Sequence, residues 1–187
     1  MTLRNSLLAA AAAAALGISA LAAPVLAGNP MVGGSEMFPE KNIIENAVNS
    51  KDHTTLVAAV KAGGLVDTLS GAGPFTVFAP TNDAFAKLPK GTVDTLLKPK
   101  NKDQLVKVLT YHVIAADAMS DAIIKMVKDD GGKHEVTTVS GGKLWISSEG
   151  DKIMITDESG QTANVTMADV KQSNGVIHVI DTVLLPK

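Results

Sequence analysis

The chain has 187 residues, a formal charge of −2 and no cysteine, which excludes disulfides, thiol catalysis and thiolate metal sites. Arg4 is its only arginine, so the rest of the chain lacks the guanidinium fork that grips phosphate or carboxylate at two points. That deficit and the acidic balance argue against a nucleic-acid partner.

Residues 1–27 read as a Sec-type signal peptide. Arg4 supplies the positive start, residues 7–23 are almost unbroken Ala and Leu, and Pro24 breaks the run. Val25 and Ala27 then offer small residues for cleavage after Ala27. A retained anchor is the rival reading, because about 17–25 apolar residues can span a bilayer. The high alanine content and the small-residue exit favour cleavage, hence a periplasmic or secreted protein that is not integral to a membrane. Residues 28–39 (GNPMVGGSEMFP) lack periodicity and are expected to be a flexible leader. Residues 40–187 form one domain, long enough to bury a core without staples.

The first half of that domain is helical in pattern. Ile43, Ile44, Ala47 and Val48 have helical spacing. Asp52 is expected to cap a second helix that stops at Gly63 and Gly64. A short helical turn follows at residues 65–69, and residues 75–79 form a buried strand ended by Pro80. Thr81 or Asn82 caps a helix bearing Ala84, Phe85 and Leu88. Another helix runs from Thr92 to Leu97, and Asn101 caps a longer one with Leu105, Val108, Leu109 and His112 on one face. Residues 116–127 form an amphipathic helix, whose Met119, Ile123 and Met126 either pack in the core or line an apolar groove.

After Gly131 and Gly132 the texture turns to strands, at residues 134–139, 143–148, 153–156, 165–170 and 176–184. Residues 149–151 form one hairpin loop. Asn174-Gly175 predicts a second, in a turn that needs positive φ at both positions. Helices first and a largely antiparallel sheet second make the class α+β.

Two stretches go beyond fold class: GPFTVFAPTNDAF at residues 73–85 and SNGVIHVIDTVLLP at residues 173–186, with LTYHVI at residues 109–114 between them. Together they resemble the two sequence blocks and the intervening Tyr-His region of the fasciclin domain. The resemblance covers residues 42–186 and implies a fasciclin-like β-wedge or sandwich of about seven strands, with helices packed along one side. It also implies extracellular or periplasmic adhesion, without a cofactor.

By that resemblance, Tyr111 and His112, followed by Val113 and Ile114, correspond to a region implicated in integrin-mediated adhesion. Asp169 and Val170 correspond to the family's Asp-Ile adhesion pair, with Val in place of Ile. The residues alone support a structural reading as well. His112 follows Val108 by one helical turn and should face the core, tied to the corner at residues 80–82. Asp169 fits an exposed turn. Thr81, Asn82, Asn174, Gly175 and His178 are expected to be scaffold.

Catalytic signals are weak. His53, His134 and His178 form no zinc pattern, and Ser140-Gly141-Gly142 is not a nucleophile elbow. Residues 157–160 read as an ordinary acidic turn without the spacing of a calcium loop. The expected function is therefore a non-enzymatic adhesion module for a surface glycan or protein, binding through residues 111–126 or the hairpin loops, with self-association adding avidity. The alternative is a periplasmic binding protein for a small hydrophobic ligand.

Overall fold

The computed structural model describes residues 28–187, so the expected signal peptide lies outside the described residues. The chain opens with a hairpin of β1 (Met31–Val32) and β2 (Ser35–Glu36). Helices α1 (Ile43–Ala47), α2 (Thr54–Gly63) and α3 (Val66–Ser70) follow, then strand β3 (Phe75–Pro80). Helices α4 (Asn82–Ala86), α5 (Thr92–Leu96) and α6 (Lys102–Tyr111) lead to the short β4 (Val113–Ile114) and to α7 (Ser120–Asp129). Five strands complete the chain: β5 (Lys133–Thr137), β6 (Lys143–Glu149), β7 (Lys152–Thr156), β8 (Thr162–Gln172) and β9 (Gly175–Ile180).

Seven strands form one sheet in the order β4-β3-β9-β8-β7-β6-β5. All neighbours are antiparallel except β3 and β9, which run parallel from Phe75 beside Gly175 to Pro80 beside Ile180. This is the α+β class that the sequence predicts, with the seven or so strands that the resemblance implies.

Two hydrophobic clusters lie on the two sides of β3 and β9. Side chains alternate along a strand, so Val77, Ala79, Ile177 and Val179 face the cluster built with α1–α6, while Phe78 and Ile180 face the other. That second cluster takes the inward residues of β6 and β7 (Leu144, Ile146, Ile153, Ile155) and Ile123 and Val127 of α7. Burial of each such large side chain contributes roughly 1.5–3 kcal/mol. The central strand β9 is buried on both faces, as its unbroken apolar run requires.

Several local expectations change. Residues 28–39 are not a loose leader: Val32 is 6 % and Met37 2 % exposed. The hairpin is held by the Lys51 N–H to the Gly33 carbonyl and by Ser35 Oγ to the Asn49 carbonyl at 2.6 Å. Its short apolar anchors gave no periodic signal. Asp52 does not cap α2, because it sits in a 3-10 turn (Lys51–His53) ahead of it. Asn101 does not cap α6 either; its side chain donates instead to the Thr95 carbonyl at 2.6 Å. Helix α7 begins at Ser120 rather than near 116, since polar contacts hold residues 116–118 outside the helix. Thr76 Oγ1 donates to the Ala116 carbonyl (2.6 Å) and accepts from the Ala118 N–H (2.9 Å).

The Asn174-Gly175 turn also differs. Gln172 pairs directly with Gly175, so Ser173 and Asn174 form the loop and Gly175 opens β9 with φ of 155°. Asn174 does not have positive φ. Its side chain is a long-range clamp: Oδ1 accepts the Ile43 N–H at 3.1 Å, and Nδ2 donates to the Leu69 and Gly71 carbonyls at 2.8 and 2.9 Å. Strand β9 stops at Ile180 instead of running to 184, because the following backbone is taken over by side chains. The Leu184 N–H goes to His112 and the Leu185 N–H to Asp157.

Candidate functional site

The polar residues of the three motifs tie separate elements of the fold together. Thr81 caps α4, accepting the Ala84 N–H at 3.2 Å. Asn82 serves another helix: its Oδ1 accepts the Thr55 N–H in the first turn of α2 (3.0 Å), and its Nδ2 donates to the Lys51 carbonyl (2.8 Å). The cap expected from Asp52 therefore comes from a side chain 27 residues beyond the Thr55 N–H that it receives.

Tyr111 is fully buried. Its hydroxyl donates to the Lys143 carbonyl (2.6 Å) and accepts the Glu158 N–H (3.1 Å), pinning α6 to β6. Burial disfavours the phenolate and pushes the pKa up to about 12. His112 faces the core at 3 % exposure, but it does not reach residues 80–82. Its Nδ1 donates to the Val108 carbonyl at 2.8 Å and its Nε2 accepts the Leu184 N–H at 3.0 Å. Burial lowers its pKa to about 4, so the ring is neutral.

His178 on β9 is fully buried and stacks on Phe78, with ring centroids 5.9 Å apart. Its Nε2 donates to the Ala118 carbonyl (2.8 Å), and its Nδ1 accepts the Asp169 N–H (3.3 Å). Burial lowers this pKa too. Asp169 is no ordinary exposed turn residue. It lies in an irregular stretch of β8 with φ of 59°, a left-handed conformation that aspartate tolerates better than most residues. The carboxylate accepts the Ser120 N–H at 2.7 Å and the Ser120 hydroxyl, capping α7 from another strand. Val170 beside it is fully buried.

We expect Asp169→Ala to cost about 0.5–2 kcal/mol of stability through loss of this cap, and Asp169→Asn to cost less. Urea denaturation of both variants checks this, since a residue without a capping role would leave the midpoint unchanged.

Two polar features escape the sequence reading. Asp157 is 1 % exposed, not a solvated turn residue. Its Oδ1 accepts from the Ser159 N–H, the Ser159 hydroxyl and the Gln161 N–H, and its Oδ2 from the Leu185 N–H, tying down the C-terminal segment. Ser50 and His53 form a buried hydroxyl–imidazole pair at 2.8 Å. Serine and histidine three residues apart, one helical turn, was the only available signal. His53 Nε2 has no hydrogen-bond partner in the structure, and burial lowers its pKa. At 2 % and 3 % exposure, the pair is closed to any substrate in this conformation.

The candidate groove residues divide. Ile123 is buried at 1 %, and Met119 and Met126 are half-buried. The two most apolar cavities described lie elsewhere, under α1 and α2, and hold only about 30 Å³ each. That is room for roughly one water, far below the roughly 300–1,000 Å³ of ligand pockets. Among the described residues, no group of three or more His, Asp or Glu side chains is arranged to hold a metal. No described helix is long and apolar enough to cross a membrane.

Comparison with known proteins follows the same lines. The sequence model of the Fasciclin domain matches residues 51–186. Protein sll1483 of Synechocystis sp. is 49 % identical over 144 residues, covering 77 % of this chain and 73 % of that one. The cell surface glycolipoprotein MPB83 of Mycobacterium bovis is 33 % identical over 166 residues, covering 86 % of this chain and 68 % of that one. Among solved structures, the FAS1 domain pair of the insect cell adhesion molecule Fasciclin I superimposes with a TM-score of 0.70 at 19 % identity. That match covers 79 % of this chain and 51 % of the other, so this chain spans about half of the domain pair, and the likeness concerns the fold alone.

Proposed function

Because the chain belongs to the fasciclin domain family, we propose that it is an exported, non-enzymatic binding module for a polysaccharide or protein at a cell surface or in the extracellular matrix. One observation carries this reading: the buried polar side chains direct their polar groups at the protein's own backbone. Tyr111, His112, His178 and Asp157 are all sealed inside and hydrogen-bonded to backbone. Such groups stabilise a scaffold, and recognition is left to the outer surface. Tyr111, His112 and Val170 then act in adhesion only indirectly, by holding that surface in shape.

The names of the relatives agree with a surface role. One is a cell surface glycolipoprotein and another comes from a cell adhesion molecule. The alternative, a carrier for a small hydrophobic ligand, requires the cavities under α1 and α2 to open well beyond their present 30 Å³.

The test is binding of the purified protein to an array of surface glycans and to envelope fractions. We expect saturable binding to at least one surface component and none of a hydrophobic dye to the native protein. Dye binding without any surface binding would replace this reading with the carrier.

A further inference from the structure

Charge is not spread evenly over this acidic chain. Residues 87–107 carry six lysines against only Asp94 and Asp103. Lys87 lies 4.0 Å from Asp181, and Lys107 donates to the Lys187 carbonyl at 2.7 Å. Lys90, Lys98, Lys100 and Lys102 are exposed and form no ion pair among the described residues.

The same stretch contains two adjoining hollows of about 330 and 290 Å³. They share Thr92, Leu96 and Gln104, and so form one trough along α5 and α6. Lys90 stands at one end, and Lys107 and Lys187 at the other. The turn carrying Lys100 (Pro99–Asn101) is tied to the trough wall by the bond from Asn101 to the Thr95 carbonyl.

We propose that this trough binds an acidic polysaccharide, a reading that rests on the surface-binding function above and names its ligand class. Lys90, Lys107 and Lys187 meet the carboxylates or sulfates, while Thr92, Thr95 and Gln104 hydrogen-bond to sugar hydroxyls. Lysine is a point charge, so the contact is diffuse and sensitive to salt instead of bidentate. A concave wall of hydroxyl and amide groups suits a sugar chain better than a bilayer, which would be met by protruding apolar side chains. The trough has no aromatic lining on which the bases of a nucleic acid would stack.

The experiment measures binding of the purified protein to polygalacturonate and dextran sulfate, with dextran, anionic phosphatidylglycerol vesicles and duplex DNA as comparisons. We expect binding to the two acidic polysaccharides and not to dextran, weakening roughly tenfold from low to physiological salt. Lys90→Gln with Lys107→Gln, at the two ends of the trough, should weaken it roughly tenfold, whereas Lys128→Gln with Lys171→Gln should leave it unchanged. Gln104→Ala should lower polysaccharide affinity alone, with the melting temperature unmoved. Salt-insensitive binding to dextran or to a protein would overturn the proposal while leaving the surface-binding function intact. Equal binding to vesicles or DNA, indifferent to Gln104, would also overturn the polysaccharide assignment. Absence of binding to any surface component defeats both readings together.

Discussion

Between pH 6.5 and pH 4.5 the protein is expected to lose several kcal/mol of folding stability, before most carboxylates are protonated. The cause is its three buried imidazoles. His112, with a pKa near 4 when folded and about 6.5 when unfolded, is held neutral by burial. Above pH 6.5 both states are neutral at this ring, and its contribution to stability is fully present. As the pH falls below 6.5 the unfolded chain takes up a proton that the folded protein refuses, so stability falls until about pH 4. Each pKa unit corresponds to about 1.4 kcal/mol, so His112 alone accounts for about 3 kcal/mol across the whole window. His53 and His178 are shifted in the same direction by the same cause and add to the loss. Urea denaturation at pH 7.5 and 4.5 measures it. His112→Gln should be less stable at pH 7.5, because a buried N–H or carbonyl left unpaired costs roughly 1–3 kcal/mol. It should also lose less on acidification. An unchanged dependence on pH in that variant would mean that His112 is not the buried neutral base described.

The second large effect is expected at Gly175. A Cβ there would lie 1.9 Å from the Phe75 carbonyl oxygen, at a φ of 155° that side chains rarely adopt. The atom in the way is backbone of the neighbouring strand, so it cannot swing aside. Gly175→Ala must therefore pry β9 from β3 at the first residue of their parallel pairing. We expect a loss above about 4 kcal/mol, in the range reserved for single changes that break a structural requirement, and little soluble protein. Gly150, in the turn between β6 and β7, provides the control. Its φ is 61°, but a Cβ there would meet nothing within 4 Å. Gly150→Ala should cost about 1–2 kcal/mol of left-handed strain and fold normally. Equal expression and equal melting temperatures for the two variants would contradict the close approach.

What was legible in the sequence followed the range of the interaction. Apolar runs and turn residues act within a few positions, so the strand from residue 75, the hairpin at 149–151 and a helix cap at Thr81 or Asn82 could be read directly. Asn82 stood out as a candidate helix cap and Asn174 as a turn residue. Their actual partners lie 27 and 131 residues away, and no local pattern announces such a bond. Asp169 was singled out for adhesion by resemblance, yet its carboxylate caps a helix whose start the periodicity put four residues too early. Asp157 looked solvated because its neighbours are polar; its burial arises from the Leu185 segment folding over it. The basic trough was hidden for the opposite reason, since a whole-chain charge of −2 averages away a local excess.

The parallel pairing of β3 with β9 also bears on how the chain is made. β3 ends at Pro80, while its partner begins at Gly175, some 95 residues later. At roughly 5–20 residues per second of synthesis, the emerging polypeptide waits about 5–20 seconds before its central sheet can close. Until then the helices of the first half have no finished wall to pack against, and the ribosome holds an open chain. A topology that postpones closure to the last strand leaves the polypeptide without its central sheet for most of its synthesis, by the order of its strands alone.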